Sequence, residues 1–194
     1  MSAPRPIFKQ QAANPRRHIG LAVMAVFAAL WLAAASRVHV NASWSDEAWG
    51  YAAFPLFGEA PEVGDRVLFD PPGALESPVP YLKTVRGVPG MTVSVGIDGT
   101  VFLDGVAVGR AKTHSLDGRT LEAIAPGIIP PGRYFLHTSH PDSHDSRYAE
   151  IGLVPRDRIL GRAFALPDLP WLGLKGPLVG PEDAAGDTAS ETGR

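Results

Sequence analysis

Residues 91–110 read MTVSVGIDGTVFLDGVAVGR, and their punctuation decides the fold. Asp98-Gly99 and Asp104-Gly105 cut the stretch into short apolar runs. Asp-Gly is among the strongest hairpin dipeptides, because both residues tolerate the positive φ that a tight turn demands. Working outward, GDRVLFD (64–70) alternates and is stopped by Pro71-Pro72. YLKTVRGVPG (81–90) carries β-branched residues and ends in a Pro-Gly turn, while GRYFLHTS (132–139) and RILGRAFAL (158–166) complete the set. No amphipathic pattern of helical length lies between Val38 and Pro167. A chain with 21 Gly and 19 Pro suits many turns and short strands rather than a helical bundle.

The exception is HIGLAVMAVFAALWLAAAS (18–36), uncharged from Ile19 to Ala35. That run reaches the lower edge of the roughly 17–25 apolar residues that span a bilayer. Arg5, Lys9, Arg16 and Arg17 precede it with no acid among them, so the positive-inside rule places the N-terminus in the cytoplasm and the remainder across the membrane. A cleaved signal peptide, with Ala33-Ala34-Ala35 as its A-x-A site, is the alternative and leads to the same compartment. Four zones are expected: a basic cytoplasmic tail over 1–17, a transmembrane helix over 18–36, a β domain over 37–172, and a small, polar, aperiodic tail over 173–194. The expected fold class is mainly β, hung from one N-terminal transmembrane helix. A net charge of −2 without a basic block argues against a nucleic-acid partner. The absence of cysteine excludes disulfides and thiolate chemistry.

Three stretches hold residues able to do chemistry, and each has a bland reading beside the sharp one. Lys83 falls within a strand-like run, on the side shared with Tyr81 and Val85. It is either a solvated outward lysine or a buried amine that must pair or give up its proton. HTSHPDSHDSRY (137–148) spaces His137, His140 and His144 as a helical zinc site would, but Pro141 and the surrounding turn formers oppose that helix. These histidines, with His114, are expected on surface loops. HVNASWSDEAWGY (39–51) reads as a juxtamembrane linker with Trp44, Trp49 and Tyr51 as interfacial anchors, and Asn41-Ala42-Ser43 fits an N-glycosylation sequon.

The order of these pieces carries more than any one of them. A basic tail, one span, Ser-x-Ser, GDRVLF, YLKTVRGVPG, VFLDGVAVG, then DSHDSRY followed by GLVPRDRILGRA, resembles the signal peptidase I superfamily of Ser–Lys membrane proteases from about Val38 to Ala165. The short body, the lead-in NASWS and the lack of a large inserted second β-domain make it more similar to the TraF-like branch of conjugal-transfer peptidases that process pilin precursors. That resemblance implies a signal-peptidase-like β domain on the periplasmic side of a bacterial inner membrane, with no cofactor or metal. It implies Ser45 as nucleophile, Lys83 as general base, Ser43 as oxyanion donor, Ser143 as the residue that orients Lys83, and Asp145 with Arg147 as a supporting pair. The implied partners are a pilin-like or signal-peptide-bearing precursor, membrane lipid, and a conjugation or secretion apparatus. The alternatives are a general signal peptidase I and a non-catalytic bitopic scaffold. Two departures stand out: Asp46 and Glu47 follow Ser45 where that branch usually has proline two residues on, and His137-Thr138-Ser139 occupies the place of a common Gly-Asp-Asn.

Such a serine hydroxyl needs a base, and lysine serves only when neutral, which burial favours. A carboxylate directly on Lys83 would undo that effect, so Asp145 is expected to pair chiefly with Arg147. The two serines would then lie near the bilayer because the scissile bond emerges from it.

Overall fold

The computed structural model of the protein describes residues 15–41, 46–72 and 79–177. The chain divides into two units, Met1–Ser36 and Arg37–Arg194. In the first unit a single helix, α1, spans Pro15–Ala35. Proline suits a first helical turn, where its missing donor costs nothing. Apolar residues cover the helix all round instead of along one stripe, the pattern of a segment made for hydrocarbon. His18–Ala35 has a mean hydropathy of 2.1 and is long and apolar enough to cross a membrane. Ser36 closes the last turn, its amide donating to the Leu32 carbonyl and its hydroxyl to that of Ala33, both at 2.9 Å.

The second unit is built of antiparallel strands: β1 (Val38–Val40), β2 (Gly50–Phe54), β3 (Arg66–Phe69), β4 (Tyr81–Gly87), β5 (Thr92–Val95), β6 (Thr100–Leu103), β7 (Val106–Arg110), β8 (Gly127–Ile128), β9 (Arg133–His137), β10 (Val154–Pro155) and β11 (Ile159–Ala165). Seven form one sheet in the order β1-β2-β11-β3-β4-β9-β10, and four form a second in the order β7-β6-β5-β8. The Asp-Gly signals act as read. Asp104 and Gly105 both take positive φ, 46° and 80°, and reverse the chain between β6 and β7. Among the described residues only single 3-10 turns, Arg156–Arg158 and Pro170–Leu172, interrupt the β unit.

An insertion is present where the sequence indicated no large one. The second sheet fills the connection between β4 and β9, and it is small. Its core of Val93, Val101, Leu103, Leu121, Ile124 and Ile129 includes Phe135 from β9, whereas Tyr134 and Leu136 on either side belong to the core of the large sheet. Successive side chains of a strand point to opposite faces, so β9 is buried on both and serves both cores. Strands β1 and β2 were also unanticipated. Trp49 and Tyr51, read as interfacial anchors, are buried, and Trp49 Nε1 donates to the Pro167 carbonyl at 2.9 Å.

Strand β11 sits between β2 and β3, and Gly161 allows that packing. A Cβ there would lie 2.8 Å from the Phe54 carbonyl carbon and closer still to its oxygen, both main-chain atoms that cannot swing away. Gly161→Ala should therefore cost about 2–3 kcal/mol or more. Thermal unfolding would read this as a fall in Tm of roughly 5–10 °C; an unchanged Tm would mean that β11 does not approach β2 this closely.

Candidate active site

Lys83 lies in the middle of β4, opposite Val67 of β3. Strand alternation gives it the face of Tyr81 and Val85, which pack into the main core, and the residue is only 7% exposed. Its ammonium stands 5.8 Å from the centre of the Tyr81 ring; no carboxylate among the described residues forms an ion pair with it. Burial pushes the amine down to about 8, Asp145 pulls it back up, Arg147 pushes it down again, and Asp46 raises it. The buried reading of this lysine is the one the fold adopts.

The charges around it come from the loop that follows β9. Arg147 and Asp145 are buried together, with Nε on Oδ1 at 2.9 Å and Nη2 on Oδ2 at 3.1 Å, a two-point pair of the kind guanidinium geometry favours. The same guanidinium donates to the carbonyls of Ser143 (2.9 Å), His140 (3.2 Å) and Arg110 at the end of β7 (3.1 Å). One side chain thus closes the loop on itself and ties it to the small sheet. Ser146 docks the loop on β9: its amide donates to the Leu136 carbonyl, and its hydroxyl accepts from the Leu136 amide, both at 2.9 Å. Ser143 is buried, and its Oγ has no hydrogen-bond partner among the described residues.

Ser43 and Ser45 lie outside the described residues, but the chain on both sides of them is held. Asn41 donates its amide N–H to the Trp49 carbonyl at 2.8 Å, and its side chain donates to the carbonyls of Asp46 (3.1 Å) and Ala48 (2.8 Å). Asp46 accepts from the Tyr51 hydroxyl and from the Glu47 amide, and its other oxygen is 3.5 Å from Arg66 Nε on β3. Burial raises the Tyr51 hydroxyl well above its usual range, and Asp46 adds to that. Residue 46 is therefore pinned beside β3, close enough for its charge to act on Lys83. Asn41 is buried with its amide engaged twice, which removes the glycosylation reading.

A family model described as "Signal peptidase, peptidase S26" matches residues 17–166. The chain belongs to that family. It is 36% identical over 86 residues to the conjugal transfer protein TraF of Agrobacterium fabrum, covering 43% of this chain and 47% of that protein. It is 32% identical over 108 residues to a probable signal peptidase I-2 of Synechocystis sp., covering 54% and 47%. The chain spans about half the length of the curated relatives it matches. Among solved structures, a signal peptidase I from Enterococcus faecalis aligns with 56% of this chain and 98% of its own, at 26% identity and a TM-score of 0.37.

Within this S26 chain the histidines part company. His137, expected on a surface loop, is 3% exposed: Nδ1 meets Asp145 Oδ2 at 3.1 Å and Nε2 meets the Val108 carbonyl at 2.5 Å. Burial pushes its imidazole down to about 4, although Asp145 pulls it up. His144 instead rests against Tyr148, ring centres 5.4 Å apart, near the Glu150 carboxylate at 3.2 Å. His114 is exposed beside Thr113. No group of three or more His, Asp or Glu side chains among the described residues is arranged to hold a metal. The signal that could have found His137 was its position at the end of GRYFLHTS, in the register that sends Phe135 into the second core.

Lys83 exacts a stability cost that depends on pH. Its folded value of about 8 lies below the 10.5 of a free lysine, so the unfolded chain binds more protons between those limits and stability rises with pH across that window. Below about 8 the folded state carries the whole cost, at most about 3 kcal/mol. Lys83→Met should raise Tm by several degrees at pH 7, with the gain shrinking toward pH 10.5. Equal Tm values for the two proteins at pH 7 would mean that the amine is solvated.

Proposed function

We propose that the protein is a membrane-anchored serine endopeptidase with a Ser45–Lys83 dyad that cleaves exported precursor proteins. The observation that carries this reading is Lys83 itself: an amine buried in a strand, with no carboxylate among the described residues paired to it. An amine with a pKa of about 8 is neutral in roughly a tenth of molecules at pH 7, against about 0.04% for free lysine. The neutral Nζ takes the proton from Ser45 Oγ as that oxygen attacks the scissile carbonyl, and the ammonium so formed protonates the leaving amine. Ser43 Oγ and the Ser45 amide stabilise the oxyanion. Ser143, whose buried hydroxyl has spare capacity, orients Nζ without adding charge. Asp145 and Arg147 neutralise each other and set the shape of the loop. Water then resolves the acyl-enzyme, or an amine does if the product is cyclised.

The same proposal places residues 1–17 in the cytoplasm, 18–36 across the inner membrane, a periplasmic catalytic domain over 37–172, and a terminal tail over 173–194. It rests on Arg5, Lys9, Arg16 and Arg17 ahead of the span. The relatives named TraF favour a role in maturing a conjugative pilin, with lipid and a conjugation apparatus as neighbours. The match to signal peptidase I-2, which covers more of this chain, favours removal of signal peptides as the second reading.

Ser45→Ala and Lys83→Ala should each abolish processing of a co-expressed precursor while the protein stays folded and inserted; continued processing in both would leave a non-catalytic scaffold. Ser43→Ala should lower kcat by about 10²–10³. In the parent enzyme kcat/KM should rise with pH through about 8, because the working form of the base is the deprotonated one. A profile flat from pH 6 to 9 would rule out Lys83 as the base.

A further inference from the structure

Between residues 112–121 of the insertion and the loop 142–148 lies a cavity of about 260 Å³ that the chemistry above leaves unused. It has the space of roughly nine liquid waters. The inserted segment folds back on itself: the Ser115 amide donates to the Arg119 carbonyl and the Leu121 amide to that of Thr113, both at 2.9 Å. Its charges are paired off, Lys112 with Asp142 and Arg119 Nε with Asp117 at 2.8 Å. Neutral polar atoms remain on the wall. Ser143, 4% exposed, and His144 keep Oγ and Nε2 buried without a hydrogen-bond partner among the described residues. Nε2 lies 3.2 Å from Glu150 Oε2, but out of line for a hydrogen bond. The Tyr148 hydroxyl accepts from the Lys112 amide at 3.3 Å, which leaves the phenol proton to donate. Burial holds the His144 imidazole below its usual value. A buried polar atom without a partner is costly, and this wall carries two.

Ser143 ties this cavity to the base. A neutral lysine has one lone pair, and on the reading above that pair takes the Ser45 proton. Ser143 can then orient Nζ only by accepting from it, so its own proton must go elsewhere. No acceptor for that proton is among the described residues. We infer that the cavity is a subsite for a primary carboxamide, the side chain of an asparagine or glutamine in the precursor. Its carbonyl oxygen accepts from the Ser143 hydroxyl and has a second lone pair for the Tyr148 proton. Its nitrogen donates one proton to His144 Nε2 and the other to the Glu150 carboxylate beside it. No charged side chain matches that set. A carboxylate would face Glu150 and would bring to the Ser143 wall a negative charge that raises the base. An ammonium would leave the Ser143 and Tyr148 protons without an acceptor. The charges of Lys83 and Asp145 both reach His144, so the cavity lies beside the base. An occupant that draws the Ser143 proton away from Nζ keeps the amine's lone pair free for Ser45.

This inference rests on the peptidase reading for its occupant, and its test separates the two. In the full-length chain in detergent micelles, acetamide should shift the ring ¹⁵N signals of His144 in a saturable way. Acetate, methylammonium and N-methylacetamide should not saturate in the same range. Saturation by acetate or methylammonium as tight as that by acetamide overturns the proposal, and so does the absence of saturation by acetamide. N-methylacetamide binding as well as acetamide assigns the cavity to peptide main chain and overturns it too. None of these titrations needs peptidase activity. His144→Phe keeps a ring over Tyr148 and removes Nε2, and it should weaken acetamide roughly 3–10-fold. If His144→Phe does not fold, the parent titrations decide. Among processed precursors, Asn or Gln at one position near the cut should exceed Leu in kcat/KM by roughly 3–10-fold, and His144→Phe should erase that preference. An equal loss for both precursors assigns His144 a packing role and overturns the proposal. If acetamide saturates while Lys83→Ala still processes precursor, the peptidase reading fails and the carboxamide site stands.

Discussion

On the proposed reading Lys83 must surrender its proton, an amine that does so cannot sit beside an unpaired carboxylate, and the contacts made by Asp145 and Asp46 meet that constraint. The attraction between unit charges about 4 Å apart grows from about 1 kcal/mol in water to about 4 kcal/mol near a protein surface. A single free acid near Lys83 could therefore cancel what burial achieves. Asp145, the acid whose charge acts most strongly on Lys83, is instead gripped at both oxygens by Arg147 and contacted by His137. The remaining cost falls on folding. A buried lysine with no carboxylate paired to it among the described residues costs folding free energy, a cost the proposed chemistry would account for.

The small sheet is part of that arrangement. Strand β7 is an edge strand, and an edge leaves main-chain groups unpaired. Here the outward carbonyls of Val108 and Arg110 accept from the side chains of His137 and Arg147. The insertion thus supplies acceptors for the two side chains that restrain Asp145, and the loop in turn covers the edge. The two cores meet at β9, the strand from which the loop departs, so the loop is anchored in packing on both sides. A few short strands achieve this without a disulfide, since the chain has no cysteine.

Local chemistry made the strand set legible. Dipeptides such as Asp104-Gly105 prescribe their own backbone, and VRGVPG marks its own end. β8 and β10 are two residues each and exist only through their partners, so no periodicity could show them. β2 was missed because GYAAF follows a stretch that reads as a linker; Tyr51 pairs with β11 from the far end of the unit, and Trp49 meets Pro167 just beyond it. The pairing of Asp145 with Arg147 was legible two residues apart. The contact of His137 with β7 was not, for it joins residues 29 apart in sequence and depends on an insertion whose placement no local pattern conveys. The positions of Ser43 and Ser45 fall outside the described residues, and their roles rest on resemblance.

Asp46 works against a neutral Lys83, since it places a carboxylate immediately after the proposed nucleophile and raises the amine. Its contacts resolve the conflict. One oxygen is taken by the Tyr51 hydroxyl and the Glu47 amide, and the other faces Arg66, so the charge is spent on three partners before it reaches the amine. Asn41 holds the carbonyl of the same residue and that of Ala48. Relatives of the TraF-like kind usually place a proline two residues after the serine, which stiffens a turn by fixing φ. This chain has Glu47 there and achieves the same end through side chains that cross-link the turn. The exchange trades a covalent restraint for an electrostatic one and leaves a residual negative charge near Lys83. On that view the two-point hold of Arg147 on Asp145 is the counterweight: the carboxylate that stays on one side of Lys83 is balanced by tighter control of the other.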